Sequence, residues 1–171
     1  SVYAGPGQSR LANASQEFTP EEVAQANGDL MAAVLVEDVD DVIQALMGGA
    51  HINQPSRDGR TPLIEACRYG NTGIVALLLS RGAHINQPNR SGLTPLLEAC
   101  RRGNNALVEL LLNRGADVNQ SVRYGGTPLL GACRNGHTGI VKRLVFNGAT
   151  LSGRETAAMQ AIIEQTREAR R

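Results

Sequence analysis

Short apolar clusters recur along the chain, separated by turn-forming residues. Leu63-Ile64-Glu65-Ala66-Cys67 is followed by Gly70, and the cluster Ile74, Val75, Leu77, Leu78 and Leu79 is followed by Gly82. Each has the spacing of a short amphipathic helix. Thr61 reads as an N-cap, its hydroxyl placed to accept from a backbone N–H of the first turn. Pro62 takes the first helical position, where its missing N–H costs nothing. Gly70 suits the left-handed position that ends the first helix. A second helix starts near Asn71 or Thr72. Ala83-His84-Ile85-Asn86-Gln87 then reads as an extended stretch, and Asn89-Arg90-Ser91-Gly92 as a turn.

The same pattern returns at a fixed interval. Thr-Pro-Leu begins at Thr61, Thr94 and Thr127, 33 residues apart, and residues 57–89 and 90–122 align without a gap at 20 of 33 identical positions. The glycine punctuation recurs at Gly103, Gly115 and Gly125, and again at Gly136 and Gly148. A helix–turn–helix–loop unit cannot bury its apolar stripe alone, whereas stacked copies bury it jointly. The period therefore predicts an all-α solenoid.

Degenerate units flank the regular ones. One period earlier, Asp29-Leu30 opens a unit that Gly49-Ala50-His51-Ile52-Asn53 closes. It lacks Thr-Pro-Leu and is acidic at Glu37, Asp38, Asp40 and Asp41, as suits a capping repeat with a solvated face. Thr19-Pro20-Glu21-Glu22 fits a capping box with proline inside, which predicts a short extra helix from Pro20 to Asn27. Gly153-Arg154-Glu155-Thr156-Ala157 opens a truncated last unit, with Ala158, Ala161, Ile162 and Gln165 expected to face the stack. The expected organisation is a flexible arm over 1–18 and an extra helix with an N-capping repeat over 19–56. Full repeats over 57–89, 90–122 and 123–152 and a capping helix over 153–171 would complete the stack. The arm, rich in small and polar residues, is expected to be mobile or a piece of a longer parent. It lacks the continuous apolar segment of a signal peptide.

The combination Gly59-Arg60-Thr61-Pro62-Leu63, Ala66, Gly70, Val75, Leu78-Leu79 and Gly82-Ala83-His84-Ile85-Asn86, with counterparts in the next two units, resembles the ankyrin repeat. The resemblance implies β-hairpin-like loops between units and a concave binding surface built from those fingers and the first helices. One departure is consistent. The His that often follows Thr-Pro-Leu in that family is replaced by Ile64, Leu97 and Leu130, so its usual hydrogen bonds must be absent or supplied otherwise. The resemblance also implies that Asn53, Asn86 and Asn119 stabilise the loop turns. Such asparagines are hydroxylated in some ankyrin proteins, which makes Asn119 a modification candidate. His51 and His84 stand where the family usually has Asp, and are expected to be turn residues with a local hydrogen bond. His137, at the start of a second helix, is expected to be structural.

Composition narrows the picture further. Aromatics are only 3%, which a solenoid of short helices packed with Leu, Val, Ile and Ala explains. No apolar run reaches membrane-spanning length, so a membrane partner is not expected. Cys67, Cys100 and Cys133 hold one equivalent position each. Stacked helices lie about 8–10 Å apart, and a disulfide needs Cα atoms within about 7 Å, so three separate buried thiols are expected. Unpaired cysteines favour a reducing compartment, cytoplasmic or nuclear. The same spacing, and the lack of Cys-x-x-Cys or His-x-x-x-His pairs, leaves no zinc site; no cofactor is expected.

The formal net charge of +1 hides an asymmetry. Residues 1–50 carry one Arg against eight acids, residues 51–153 carry twelve Lys and Arg against five acids, and 123–153 carry no acid at all. Mapped on the repeat, the arginines form two ladders: Arg57, Arg90 and Arg123 in the fingers, and Arg68, Arg101 and Arg134 late in the first helices. Tyr69, Arg102 and Asn135 adjoin the second ladder, Arg60 precedes Thr61, and Tyr124 is at a finger tip. This pattern suits a groove for an acidic or phosphorylated protein segment, bound by a monomeric, non-catalytic adaptor, scaffold or recognition domain. Against it, Glu65 and Glu98 stand three residues before Arg68 and Arg101, where intrahelical pairs would neutralise part of the ladder. Recurrence across repeats can also be duplication history alone. Two other readings stay open. One is a nucleic-acid-binding basic solenoid, disfavoured by the few stacking aromatics and the acidic first unit. The other is a regulatory domain of an enzyme whose catalytic part lies outside this chain. The chain has no phosphate-binding Gly-x-x-x-x-Gly-Lys loop and no nucleophile elbow.

Overall fold

The computed structural model describes residues 17–122 and 126–171. The expected arm over residues 1–16, together with Arg123, Tyr124 and Gly125, lies outside them. Among the described residues there are nine helices and no strand: α1 Pro20–Leu35, α2 Val39–Met47, α3 Pro62–Tyr69, α4 Thr72–Ser80, α5 Pro95–Arg102, α6 Asn105–Asn113, α7 Pro128–Arg134, α8 Thr138–Phe146 and α9 Ala157–Arg170. The helices α1, α3, α5 and α7 pack side by side as an inner row. An outer row, α2, α4, α6 and α8, runs alongside, and α9 packs on α8.

Local chemistry starts and stops these helices. Thr61, Thr94 and Thr127 each accept a hydrogen bond from the backbone N–H three residues on, at Ile64, Leu97 and Leu130, each at 3.2 Å. Those three residues, which replace the family's usual His, are buried. Asn71 and Asn104 cap the outer helices in the same way. Between the rows lies one continuous apolar core from Leu30 to Ile163. Leu78, Leu111 and Leu144 occupy equivalent positions in it, and all three are fully buried.

Three local expectations are corrected. The short helix over 20–27 and the first helix of the capping unit are one helix, α1. Its capping box is present, with Thr19 and Glu22 bonded reciprocally at 3.1 Å, but Asn27-Gly28-Asp29 does not end it. No proline interrupts the run and Gly28 does not take a positive φ, so the backbone hydrogen bonds continue. In α9 the buried face is Met159 and Ile163, with Ile162 and Thr166 partly covered, while Ala158, Ala161 and Gln165 are exposed. Packing on α8 sets that phase, one residue from the register implied by aligning Thr156 with the earlier threonines. The segment after Gly82 is also not simply extended, since Gln87 N–H donates to the His84 carbonyl across a turn at Ile85-Asn86.

The asparagines of these loops reach further than their own turn. Asn53 Oδ1 accepts from His84 N–H at 2.8 Å, Asn86 Oδ1 from Asp117 N–H at 2.9 Å, and Asn119 Oδ1 from Thr150 N–H at 2.7 Å. Each bond spans 31 residues, so each loop is held by its neighbour. Asn27 serves His51 N–H in the same way. The local bond expected of His51 and His84 is made by their carbonyls, which accept from Gln54 N–H at 3.0 Å and Gln87 N–H at 3.2 Å, while their own N–H groups are held by Asn27 and Asn53.

Candidate partner-binding groove

A recess of about 530 Å³ opens between the fingers and the inner helices. Arg60, Arg68, Arg101 and Arg102 line it, with Glu65 and Glu98 also contributing. A second recess of about 370 Å³ continues it toward the next unit through Leu93, Arg101 and Asn135, and reaches Arg134. The inner-helix arginines therefore share one surface because the inner row stacks in register. Each sits in the last turn of its helix, just beyond the buried Ala-Cys pair, and is exposed.

The acids do not pair as their spacing predicts. Glu98 Oε1 lies 2.7 Å from Arg102 Nε, four residues on, and not on Arg101. Glu65 faces Arg60 at 3.9 Å, and not Arg68. Among the described residues Arg68, Arg101 and Arg134 make no ion pair. The expected neutralisation of this ladder is therefore not made. Gly131 has a direct part in that arrangement: a Cβ there would stand 3.2 Å from the Arg101 stem, so the missing side chain leaves the arginine room to lie over α7.

The other predicted positions are placed elsewhere. Arg90 is committed to the scaffold, with its Nη2 donating to the Arg57 carbonyl at 2.6 Å and its N–H to the Gly59 carbonyl at 3.1 Å. Its side chain lies so close over Gly59 that a Cβ there would collide with the Arg90 Cβ. Arg57 is exposed in its finger. Tyr69 is half exposed at the end of α3 and lines neither recess. Arg123 and Tyr124 lie outside the described residues. Asn119, the modification candidate, is exposed, with Nδ2 donating to the Gly148 carbonyl at 3.3 Å as well as its bond to Thr150. His137 lies against Gly103, with Nε2 3.3 Å from the Arg101 carbonyl, a structural contact between units.

The three cysteines are free and buried. Burial pushes the Cys100 thiol up to about 12. Burial, with the nearby Glu98 charge, raises Cys67 beyond the ordinary thiol range; burial and Glu155 raise Cys133. A thiol held protonated is a poor nucleophile and a poor metal ligand. Burial would raise Glu155 too, but bonds from the Ser152 N–H and hydroxyl and from the Gly153 N–H outweigh it and lower its pKa. Among the described residues no three His, Cys, Asp or Glu side chains are grouped to hold a metal, and no helix is long and apolar enough to cross a membrane.

Among curated proteins no significant match is found. A family profile described as ankyrin repeats (3 copies) matches residues 30–122, and one described as ankyrin repeat matches residues 124–154. The first match opens at Leu30, inside α1, so the acidic unit without Thr-Pro-Leu is counted as a repeat. Ankyrin repeats are in general non-catalytic modules for protein–protein interaction. With its threonine-capped inner helices, paired outer helices and asparagine-tied loops, this chain belongs to the ankyrin-repeat family.

Proposed function

We propose that this chain is a non-catalytic recognition module that holds an acidic or phosphorylated protein segment along its inner-helix face. The observation that carries the reading is the continuous recess from Arg60 to Arg134. In it, Arg68, Arg101 and Arg134 are exposed and make no ion pair among the described residues. Guanidinium groups suit carboxylate and phosphate by their planar, forked donors. The module acts as a monomeric adaptor or scaffold in a reducing compartment, cytoplasmic or nuclear.

The test is a peptide array of glutamate-rich, phosphoserine, neutral and basic segments, read with the wild type and with Arg101→Glu/Arg134→Glu. The acidic and phosphorylated spots should bind the wild type and lose at least about tenfold in the double variant, with the melting temperature nearly unchanged. Equal binding of a folded double variant refutes the reading.

A further inference from the structure

The three units treat one side-chain pair differently. In the middle unit Glu98 is buried and its Oε1 takes the Arg102 guanidinium at 2.7 Å. One period later both members are gone, replaced by Gly131 and Asn135. In the first unit only half remains. Glu65 is 3% exposed, but the arginine's place is taken by Tyr69. The nearest cation, Arg60, stands 3.9 Å away, too far for a hydrogen bond. Glu65 Oε2 is buried and has no hydrogen-bond partner among the described residues. Leaving a buried carboxylate oxygen unpaired is costly, and such atoms are rare in folded proteins.

Glu65 also lines the recess proposed to receive a partner. We infer that Glu65 is the seat for a guanidinium or ammonium side chain of the bound segment, which supplies from outside what Arg102 supplies to Glu98 from within. The inference rests on the proposed function and refines it. The partner segment is acidic where it meets Arg68, Arg101 and Arg134, and carries one arginine or lysine placed over α3. A wholly acidic segment would set its own charge against the Glu65 carboxylate. A segment with one cation in the right register would gain a charge-assisted hydrogen bond to a carboxylate that is itself buried.

The experiment uses acidic heptapeptides carrying a single arginine at each position in turn. Each is matched by a peptide with citrulline, of the same shape but neutral, at that position, and binding is measured by fluorescence anisotropy. In one register the arginine peptide should bind about tenfold tighter than its citrulline match. That preference should fall to about one in Glu65→Gln and in Tyr69→Arg, the second of which installs the missing guanidinium within the helix. Tyr69→Arg also decides the matter should Glu65→Gln not fold. Arginine preference in no register, or preference persisting in either folded variant, overturns the inference. If acidic peptides still bind and still need Arg101 and Arg134, the broader reading survives that result. Binding that ignores Arg101→Glu/Arg134→Glu, or no binding of any peptide, overturns both.

Discussion

The units over 57–89 and 90–122 share 20 of 33 residues, the same threonine caps and the same left-handed glycines after their inner helices. Their cores correspond position for position, with Ile74, Val75 and Leu78 answered by Leu107, Val108 and Leu111, all fully buried. Their groove faces do not correspond. One carries a closed Glu98–Arg102 pair, the other an open Glu65 beside an exposed tyrosine. The difference separates two kinds of constraint. Stacking requires each unit to present the same apolar knobs to its neighbours, so duplication holds the core. On the groove face a single change at position 69 or 102 decides whether a buried acid is paired within its own helix.

The strongest way to break the comparison is in the core. Leu78→Ala and Leu111→Ala should each cost about 2–5 kcal/mol, through lost burial and the cavity left behind. The two costs should agree within about 1 kcal/mol in denaturant titrations; a larger gap would mean that the units are not structurally equivalent. A smaller effect sharpens the difference between the grooves. Arg102→Tyr turns the second unit into a copy of the first at this pair and leaves Glu98 buried without its guanidinium. It should cost about 1–2 kcal/mol, while Tyr69→Arg should raise the melting temperature. Opposite signs from reciprocal exchanges are the signature expected; equal signs would contradict it.

The smallest effect concerns the end where repetition stops. Glu155 is a buried acid fully answered by its own loop, unlike Glu65. Its folded pKa is lowered, so its stabilisation is complete above the ordinary carboxylate value of 4.5 and is lost as pH falls through the lower folded value. Glu155→Gln should cost at most about 1 kcal/mol at neutral pH. The gap to wild type should narrow as melting is repeated toward acid. A gap independent of pH would mean that the carboxylate charge does not matter.

Much of this was legible in the chain because it is local or periodic. A threonine before a proline and an apolar run makes a cap wherever it occurs, and a period of 33 residues reports stacking directly. What stayed hidden depended on contacts between units. Asn27-Gly28-Asp29 looks like a stop, but α1 runs through it since nothing there takes the helix out of register. The face of α9 is set by α8, not by its own spacing. Both Arg101 and Arg102 lie within reach of Glu98 by sequence. Only the structure shows that Glu98 takes the residue four positions on, Arg102. The exchange of Tyr69 for Arg102 was visible from the alignment, but it acquires meaning only once Glu65 is known to be buried.

The three cysteines, one sealed in each regular unit, have a practical consequence. A thiol kept protonated and out of solvent reacts with an alkylating reagent only while its own unit is open. The chain thus carries a separate clock for each of its three regular units. Timed alkylation followed by peptide mass mapping would read the three clocks from one unlabelled sample. The middle clock, Cys100, has a regular unit on both sides and should run slowest. Adding a ligand that spans α3 to α7 should slow all three together.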